Sequence, residues 1–245
     1  MQPLVSVVIP TIPSRSKLLQ RAIDSVNKQT YSNIELVVVN EGLPATVQRN
    51  IGIKRSHGDF IAFLDDDDTW LREKIQAQMK VMEEHPDCPL VICFSYDLRF
   101  KNARVNRTPE LITHKMLLKS FNLSSTSSYL VRKCSLEYLG GNPFDASLRS
   151  AQEYDLAIRI SKYHDVRCVP EILMIQHSTE GQISEDWDRK IDGVNVIAKK
   201  YKDEYDFVDR VKTLGVVNLF RIAKIPGVGN KIYKIIIPLK GFYEK

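Results

Sequence analysis

An apolar run that ends abruptly in four carboxylates constrains this chain more than any other stretch: Phe60-Ile61-Ala62-Phe63-Leu64 leads straight into Asp65-Asp66-Asp67-Asp68-Thr69-Trp70. Five apolar residues in succession, none of them Gly or Pro, predict a strand buried on both faces, as at the centre of a parallel sheet. Four carboxylates at its end repel one another unless positive charge lies among them. A hard divalent cation supplies such charge, because Mg2+ and Mn2+ bind through one or two carboxylates together with phosphate oxygens. Ligands in open α/β folds also sit at the C-terminal ends of the parallel strands. The plain alternative is a solvated acidic turn after a core strand.

The flanking sequence supplies the rest of such a sheet. Residues 4–9 read as a buried strand that Pro10 stops, with 10–15 as the loop after it, and Leu18, Leu19, Ala22, Ile23 and Val26 then recur at helical spacing. A second strand, 34–39, ends at Asn40-Glu41-Gly42, and a helix over about 45–56 is closed by Gly58 as its C′ residue. The order β, α, β, α, β predicts a parallel sheet with helices on its faces. Beyond the aspartates we expect a helix over 70–84 with Ile75, Met79 and Met82 inward, a strand over 90–96, and an irregular segment over 101–115. The hydroxyl run Ser124-Ser125-Thr126-Ser127-Ser128 leads into a strand at 129–131. Helices over 135–139 and 152–163, short strands at 166–169 and 172–175, and a charged helical stretch over 186–205 complete the series. Glu153 and Asp155, in the first turn of their helix, suit the helix dipole whatever else they do.

At 245 residues, 43% hydrophobic and 27% charged, the chain is sized for one large α/β domain with an appendage. Cys88, Cys93, Cys134 and Cys168 form no C-x-x-C pair and lie among apolar residues, which predicts reduced structural thiols in a cytoplasmic protein. The first apolar run lacks a preceding basic region, and no apolar stretch approaches the roughly 18 residues of a membrane span, so neither a signal peptide nor a spanning helix is expected. The overall charge of +5 is unevenly placed: residues 210–245 hold eight Lys or Arg against Glu244 alone, a net +7 that leaves −2 on the 209 residues before them. In that segment Val216, Val217, Leu219, Phe220, Ile222 and Ile225 alternate with Arg221 and Lys224, the composition of a basic amphipathic element lying in a lipid headgroup plane. Packing against the core or a second subunit is the alternative. Nothing resembles a nucleic-acid recognition motif, so nucleic acid is not an expected partner.

Several motifs occur together in order: Val5-Ser6-Val7-Val8-Ile9-Pro10-Thr11, then Ala22-Ile23-Asp24-Ser25-Val26 with Gln29-Thr30-Tyr31, Glu35, Arg49-Asn50-Ile51-Gly52-Ile53, and Gly58-Asp59 leading into the acidic strand. Over residues 3–185 this set resembles the family 2 glycosyltransferases. The resemblance implies the GT-A fold, a Rossmann-like mixed α/β sheet with helices on both faces. It implies a domain over 1–205, with a donor half of about 1–96 and an acceptor half of about 97–205, followed by a helical, basic extension over 206–245. It further implies an inverting, Mn2+- or Mg2+-dependent transfer of a sugar from a nucleotide diphosphate sugar, UDP-linked, to a hydroxyl of a glycan or a polyprenol- or lipid-linked acceptor. An acceptor of that kind would put the protein peripherally on the cytoplasmic membrane face, through 210–245.

Carried over residue by residue, the resemblance puts Pro10, Thr11 and Arg15 around the nucleobase and diphosphate, with Arg49 in the same nucleotide-sugar set. Asp65 and Asp67 match its D-x-D motif, Asp65 near the ribose with Asp66 beside it and Asp67 the direct metal ligand. His177 matches a position near the diphosphate and metal. Glu153, in Gln152-Glu153 before Tyr154-Asp155-Leu156, aligns with the catalytic base. Three departures stand out. Asn40 takes the place of an Asp that contacts uracil, and its amide leaves the choice of base open. Gln152-Glu153 replaces a Glu-Asp pair. Only six residues separate Gly42 from Arg49, so the sheet is expected to lack an edge strand common in the family. Two other functions fit parts of the pattern. An inactive member would bind nucleotide sugar without transfer, and a haloacid-dehalogenase-type phosphatase would use Asp65 of Asp65-Asp66-Asp67-Asp68-Thr69 as its nucleophile.

Overall fold

The computed structural model describes residues 2–99, 103–119, 123–179 and 187–204. The basic segment 210–245, and with it the expected membrane contact and the extension over 206–245, lies outside them. Val5–Pro10 (β1), Ser16–Asn27 (α1), Ile34–Val39 (β2), Ala45–Arg55 (α2) and Phe60–Phe63 (β3) form the expected βαβαβ unit. Thr69–Trp70 (β4), Lys74–Glu84 (α3), Leu90–Asp97 (β5), Arg104–Asn106 (β6), Leu111–Ile112 (β7) and His114–Lys119 (α4) follow. The chain continues through Leu130–Arg132 (β8), Lys133–Tyr138 (α5), Gln152–Ile160 (α6), Val166–Gln176 (β9) and Trp187–Lys200 (α7). The nine strands make one sheet, in the order β2-β1-β3-β8-β5-β9-β4, with β6 on β5 and β7 on β9. β1 runs parallel to β2 and β3, and β9 parallel to β5, whereas β8 is antiparallel to both β3 and β5. β2, β1, β3, β5 and β9 therefore point the same way, and their C-terminal ends share one edge. Among the described residues β2 pairs with β1 alone, in keeping with the missing edge strand.

β3 is buried on both faces because its side chains feed two cores in alternation. Ile61 and Phe63 join the cluster under α2 and α6, while Phe60, Ala62 and Leu64 join the cluster under α1 and α3. Phe63 meets Phe144 edge-on with ring centroids 5.1 Å apart, and truncating such a residue to Ala costs about 3–5 kcal/mol. α2 lies close on β1 only because residue 52 is Gly; a Cβ there would come within 2.3 Å of Val8 Cγ1. α7 is tied down by fully buried Asp155, which accepts from Tyr201 Oη at 2.7 Å and pairs with Lys200 at 2.7 Å and with Arg159 at 2.9 Å. Asp155 thus joins α6 to α7 and makes no capping bond at its own helix terminus.

Several expectations give way to tertiary contacts. The helix after the aspartates begins at Lys74, since Thr69 and Trp70 pair antiparallel with Ile175 and Met174 of β9. The Trp70 indole N–H donates to Ser127 O at 2.8 Å, and its backbone N–H to Ser25 Oγ at 3.1 Å. Gly58 does not end α2 in a left-handed turn; that helix stops at Arg55, and Gly58 is needed because a Cβ would lie 2.6 Å from Leu4 O. The short strands at 166–169 and 172–175 are one strand, with a register shift where Val169 and then Ile172 meet β5. Residues 103–115 are not wholly irregular, since β6 and β7 extend the sheet there. Cys88, Cys93 and Cys168 are buried and reduced, but Cys134 is exposed. Lys74, fully buried, lies 4.1 Å from the Trp70 ring centroid and donates to Gln78 Oε1 at 2.7 Å, and burial lowers its pKa to about 8. Among the described residues no helix is long and apolar enough to cross a membrane.

Candidate active site

The aspartates turn off the end of β3, where the N–H of Asp68 donates to Asp65 O at 3.0 Å. The turn sorts them into two pairs. Asp66 and Asp68 point inward, 3% and 5% exposed, while Asp65 and Asp67 face outward and are half-buried. That alternation is the physical content of the D-x-D spacing.

Both inward carboxylates are consumed by the fold. Asp66 accepts from Thr11 Oγ1 and from Arg15 Nη1, each at 2.7 Å, so the two side chains expected to hold the nucleotide are held by a residue expected to help them. Burial works against the Arg15 charge, but Asp66 and Asp67 outweigh it and raise its pKa. Asp68 accepts from Ser127 Oγ at 2.6 Å, and the same hydroxyl accepts the backbone N–H of Asp65 at 3.0 Å. Burial, then the charges of Asp65 and Asp67, push the Asp68 carboxyl well above the usual range.

Asp67 accepts from Thr179 Oγ1 at 3.0 Å and lies 3.5 Å from Arg15 Nη1, both through Oδ2; its backbone carbonyl accepts from Arg21 Nη2 at 2.6 Å. Burial and then Asp65 raise its pKa. Excess negative charge of this kind is what a hard cation relieves, and Oδ1 of Asp67 makes no hydrogen bond among the described residues. Oxygen donors from Asp67 and Asp65 fit Mg2+ or Mn2+. No three His, Cys, Asp or Glu side chains gather as a ligand set among the described residues, so such an ion would complete its shell with water and phosphate. Among the described residues His177 forms no ligand cluster with the aspartates; its Nε2 lies 2.9 Å from Thr69 Oγ1, and burial, then Arg21, lower its pKa.

Arg49 joins the acidic turn after β3 to the start of α6. It lies on α2, 5% exposed, with its guanidinium 5.4 Å from the Phe144 ring centroid. Nη2 pairs with Asp65 Oδ1, and Nη1 donates to Gln152 Oε1 at 3.3 Å. Gln152 opens α6 and Glu153 follows it. The turn into α6 is made by Ala151 in the left-handed region, at φ 59°, a conformation that costs a non-Gly residue about 1 kcal/mol or more. Burial raises the Glu153 carboxyl, opposed by Arg49 and Arg99. Pro10 is buried at the end of β1, and Asn40 is exposed just past β2. The structure thus brings Thr11, Arg15, Arg49 and Asp65–Asp68 together, leaves Asn40 at the rim, and links Glu153 to the group through Gln152. Sequence reasoning had no role for Arg21, Ser127, Gln152 or Thr179. The hydroxyl run at 124–128 and the departure at Gln152 were the visible signals among them.

Residues 45–136 match the family model for Glycosyl transferase family 2. The chain is 26% identical over 196 residues to an Escherichia coli protein named UDP-Glc:alpha-D-GlcNAc-diphosphoundecaprenol beta-1,3-glucosyltransferase WfgD, covering 68% of this chain and 73% of that one. Staphylococcus aureus TarS 1-349 in complex with UDP-GlcNAc superposes with a TM-score of 0.64 at 15% identity, covering 93% of this chain and 76% of that 1-349 chain. The mannosyltransferase PcManGT from Pyrobaculum calidifontis, in complex with GDP-Man and Mn2+, gives a TM-score of 0.58 at 16% identity, covering 89% and 70%. Other curated relatives are longer: the chain spans 62% of an uncharacterized glycosyltransferase from Haemophilus influenzae and 31% of one from Rickettsia bellii.

Proposed function

The chain belongs to the family 2 glycosyltransferases with a GT-A fold, and on that premise we propose that it is an inverting glycosyltransferase. It moves a sugar from a nucleotide diphosphate donor, UDP-linked, to a hydroxyl of a lipid-linked acceptor. The observation that carries this reading is Arg49, whose single guanidinium contacts both Asp65 and the residue next to Glu153. A group that binds the donor and a group that takes the acceptor proton must be held in register for in-line displacement, and a buried, two-ended guanidinium does so.

In this reading Glu153 accepts the proton of the acceptor hydroxyl as its oxygen bonds to the anomeric carbon. The bond from that carbon to phosphate breaks, and its electron pair leaves with the nucleoside diphosphate. A raised Glu153 pKa suits a general base, because it brings proton affinity closer to the working pH. In this reading Thr11 and Arg15 would meet the diphosphate, and Asp67 with Asp65 would hold Mn2+ or Mg2+. When bound, that ion supplies positive charge against the leaving diphosphate. The acceptor class is suggested by the name of the WfgD relative, and the donor class by that name and by the TarS complex with UDP-GlcNAc. A phosphatase would need Asp65 unencumbered as a nucleophile, whereas Asp65 is paired with Arg49.

Calorimetric titration of nucleoside diphosphates and nucleotide sugars, with Mn2+ or Mg2+ and again with EDTA, tests the reading. We expect one nucleotide to bind, with affinity lost in EDTA and weakened in Asp67→Asn. Binding to none of them would remove the transferase reading; binding without transfer, unaltered in Glu153→Gln, would leave an inactive family member.

A further inference from the structure

A second polar site lies at the same sheet edge, on β5 and β9, and the chemistry above does not use it. Asp97 and Gln176 are register partners at the ends of these strands, 1% and 4% exposed. Arg99 grips Asp97 with two prongs, Nε to Oδ1 at 2.8 Å and Nη2 to Oδ2 at 2.7 Å. The same Nη2 reaches Gln176 Oε1 at 3.3 Å, and that oxygen also faces Asn106 Nδ2 and Ser95 Oγ, each at 3.4 Å. Arg99 has no acceptor, so the amide oxygen of Gln176 must be the atom turned toward it. Its NH2 is then directed away, and among the described residues none accepts from it. A side chain that is 4% exposed, with two amide donors that no described residue accepts, is a place for a ligand.

Location and charge say which ligand. Three residues after Gln176, Thr179 donates to Asp67, and Arg99 is close enough to Glu153 and Asp68 to favour their charged forms. Ser124 Oγ donates to Ser95 Oγ at 3.2 Å, and Ser127 in the same segment holds the acidic turn. The site therefore adjoins both the aspartates and the candidate base. Its charge is already matched, because the Arg99 guanidinium and the Asp97 carboxylate satisfy each other; its other members, Ser95, Asn106, Ser124 and Gln176, are neutral. Contacts of 3.3–3.4 Å around Gln176 Oε1 are longer than the usual 2.9–3.0 Å and cost little to re-pair. Neutral, loosely bonded donors and acceptors suit vicinal hydroxyls and give a phosphate no unspent cation.

We propose that Gln176, framed by Arg99 and Asp97, is the subsite that reads hydroxyl groups of the acceptor's sugar ring. The assignment rests on the transferase reading. The test uses the full chain labelled with 15N-glutamine, the Gln176 side-chain amide being identified as the pair absent from Gln176→Leu, or from Gln176→Glu if the first fails to fold. Methyl α- and β-glucopyranoside and methyl N-acetylglucosaminide are titrated to high millimolar, with inorganic phosphate in parallel. We expect the Gln176 pair to move saturably with at least one glycoside, and Arg99→Lys to weaken that binding by about tenfold. A pair that stays still with every glycoside, or moves with phosphate alone, overturns the assignment. Donor binding is read separately by calorimetry, so its failure would remove the transferase reading whatever the glycosides do.

Discussion

Replacing Arg49 with Met keeps the length and apolar body of the side chain while removing its charge and both hydrogen-bonding prongs. Breaking a fully buried ion pair from one side costs about 3–5 kcal/mol, because the partner charge is stranded. The Asp65 side chain is 29% exposed, so water screens part of that loss, and about 2–3 kcal/mol is the expected destabilisation. In a domain of this size 1 kcal/mol moves Tm by about 2–4 °C, which predicts a drop of roughly 4–12 °C by scanning calorimetry. Arg49→Lys keeps the charge but cannot reach Asp65 and Gln152 together, and should cost about 1 kcal/mol. Arg49 also favours the charged form of Glu153. Its loss raises the Glu153 pKa further, so the acid limb of the pH profile, followed as nucleoside diphosphate release, moves to higher pH. Unfolding within about 1 °C of wild type, together with an unmoved acid limb, would refute the view of Arg49 as the link between the acidic turn and α6.

Two further outcomes follow from the same geometry. Glu153→Gln should lose transfer while retaining donor binding, and wild-type turnover in that variant would remove Glu153 as the base. At the opposite edge of the sheet, burial pushes the Glu35 carboxyl up, but hydrogen bonds from His57 and from Ser6 outweigh it and bring the pKa down from 4.5 to about 2. A depressed folded pKa stabilises above the unfolded value, so this contribution is present above about pH 4.5 and is lost as pH falls toward 2. Glu35→Gln should therefore be less stable than wild type at neutral pH and converge with it in acid; parallel denaturation curves at all pH values would contradict this.

The parallel unit and its acidic end were legible because their signals are local. Five apolar residues cannot face solvent on either side, and the break from Leu64 to Asp65 marks the strand end directly. What misled was local too. Ile75, Met79 and Met82 carry a helical period that extends plausibly back to Trp70, yet a two-residue pairing with β9 and an indole bond to Ser127 decide otherwise. Gly58 resembles a helix stop, and only the approach of Leu4 O shows why it is Gly. Ser127 stands 62 residues from Asp65 in the chain, and Gln176 stands 81 from Ser95. No periodicity reports such pairs, so the supports of the site stayed hidden while its outward-facing carboxylates did not.

The internal pairing of Arg15 bears on how a donor would respond to ionic strength. Its guanidinium is not waiting among counterions, since Asp66 and Asp67 already surround it. A diphosphate bound at Arg15 would exchange one anionic partner for another and free few small ions into solution. Donor affinity should then fall with added monovalent salt much less steeply than the number of arginines around the aspartates suggests. Asp66→Asn, which leaves Arg15 with less anionic company, should make that dependence steeper.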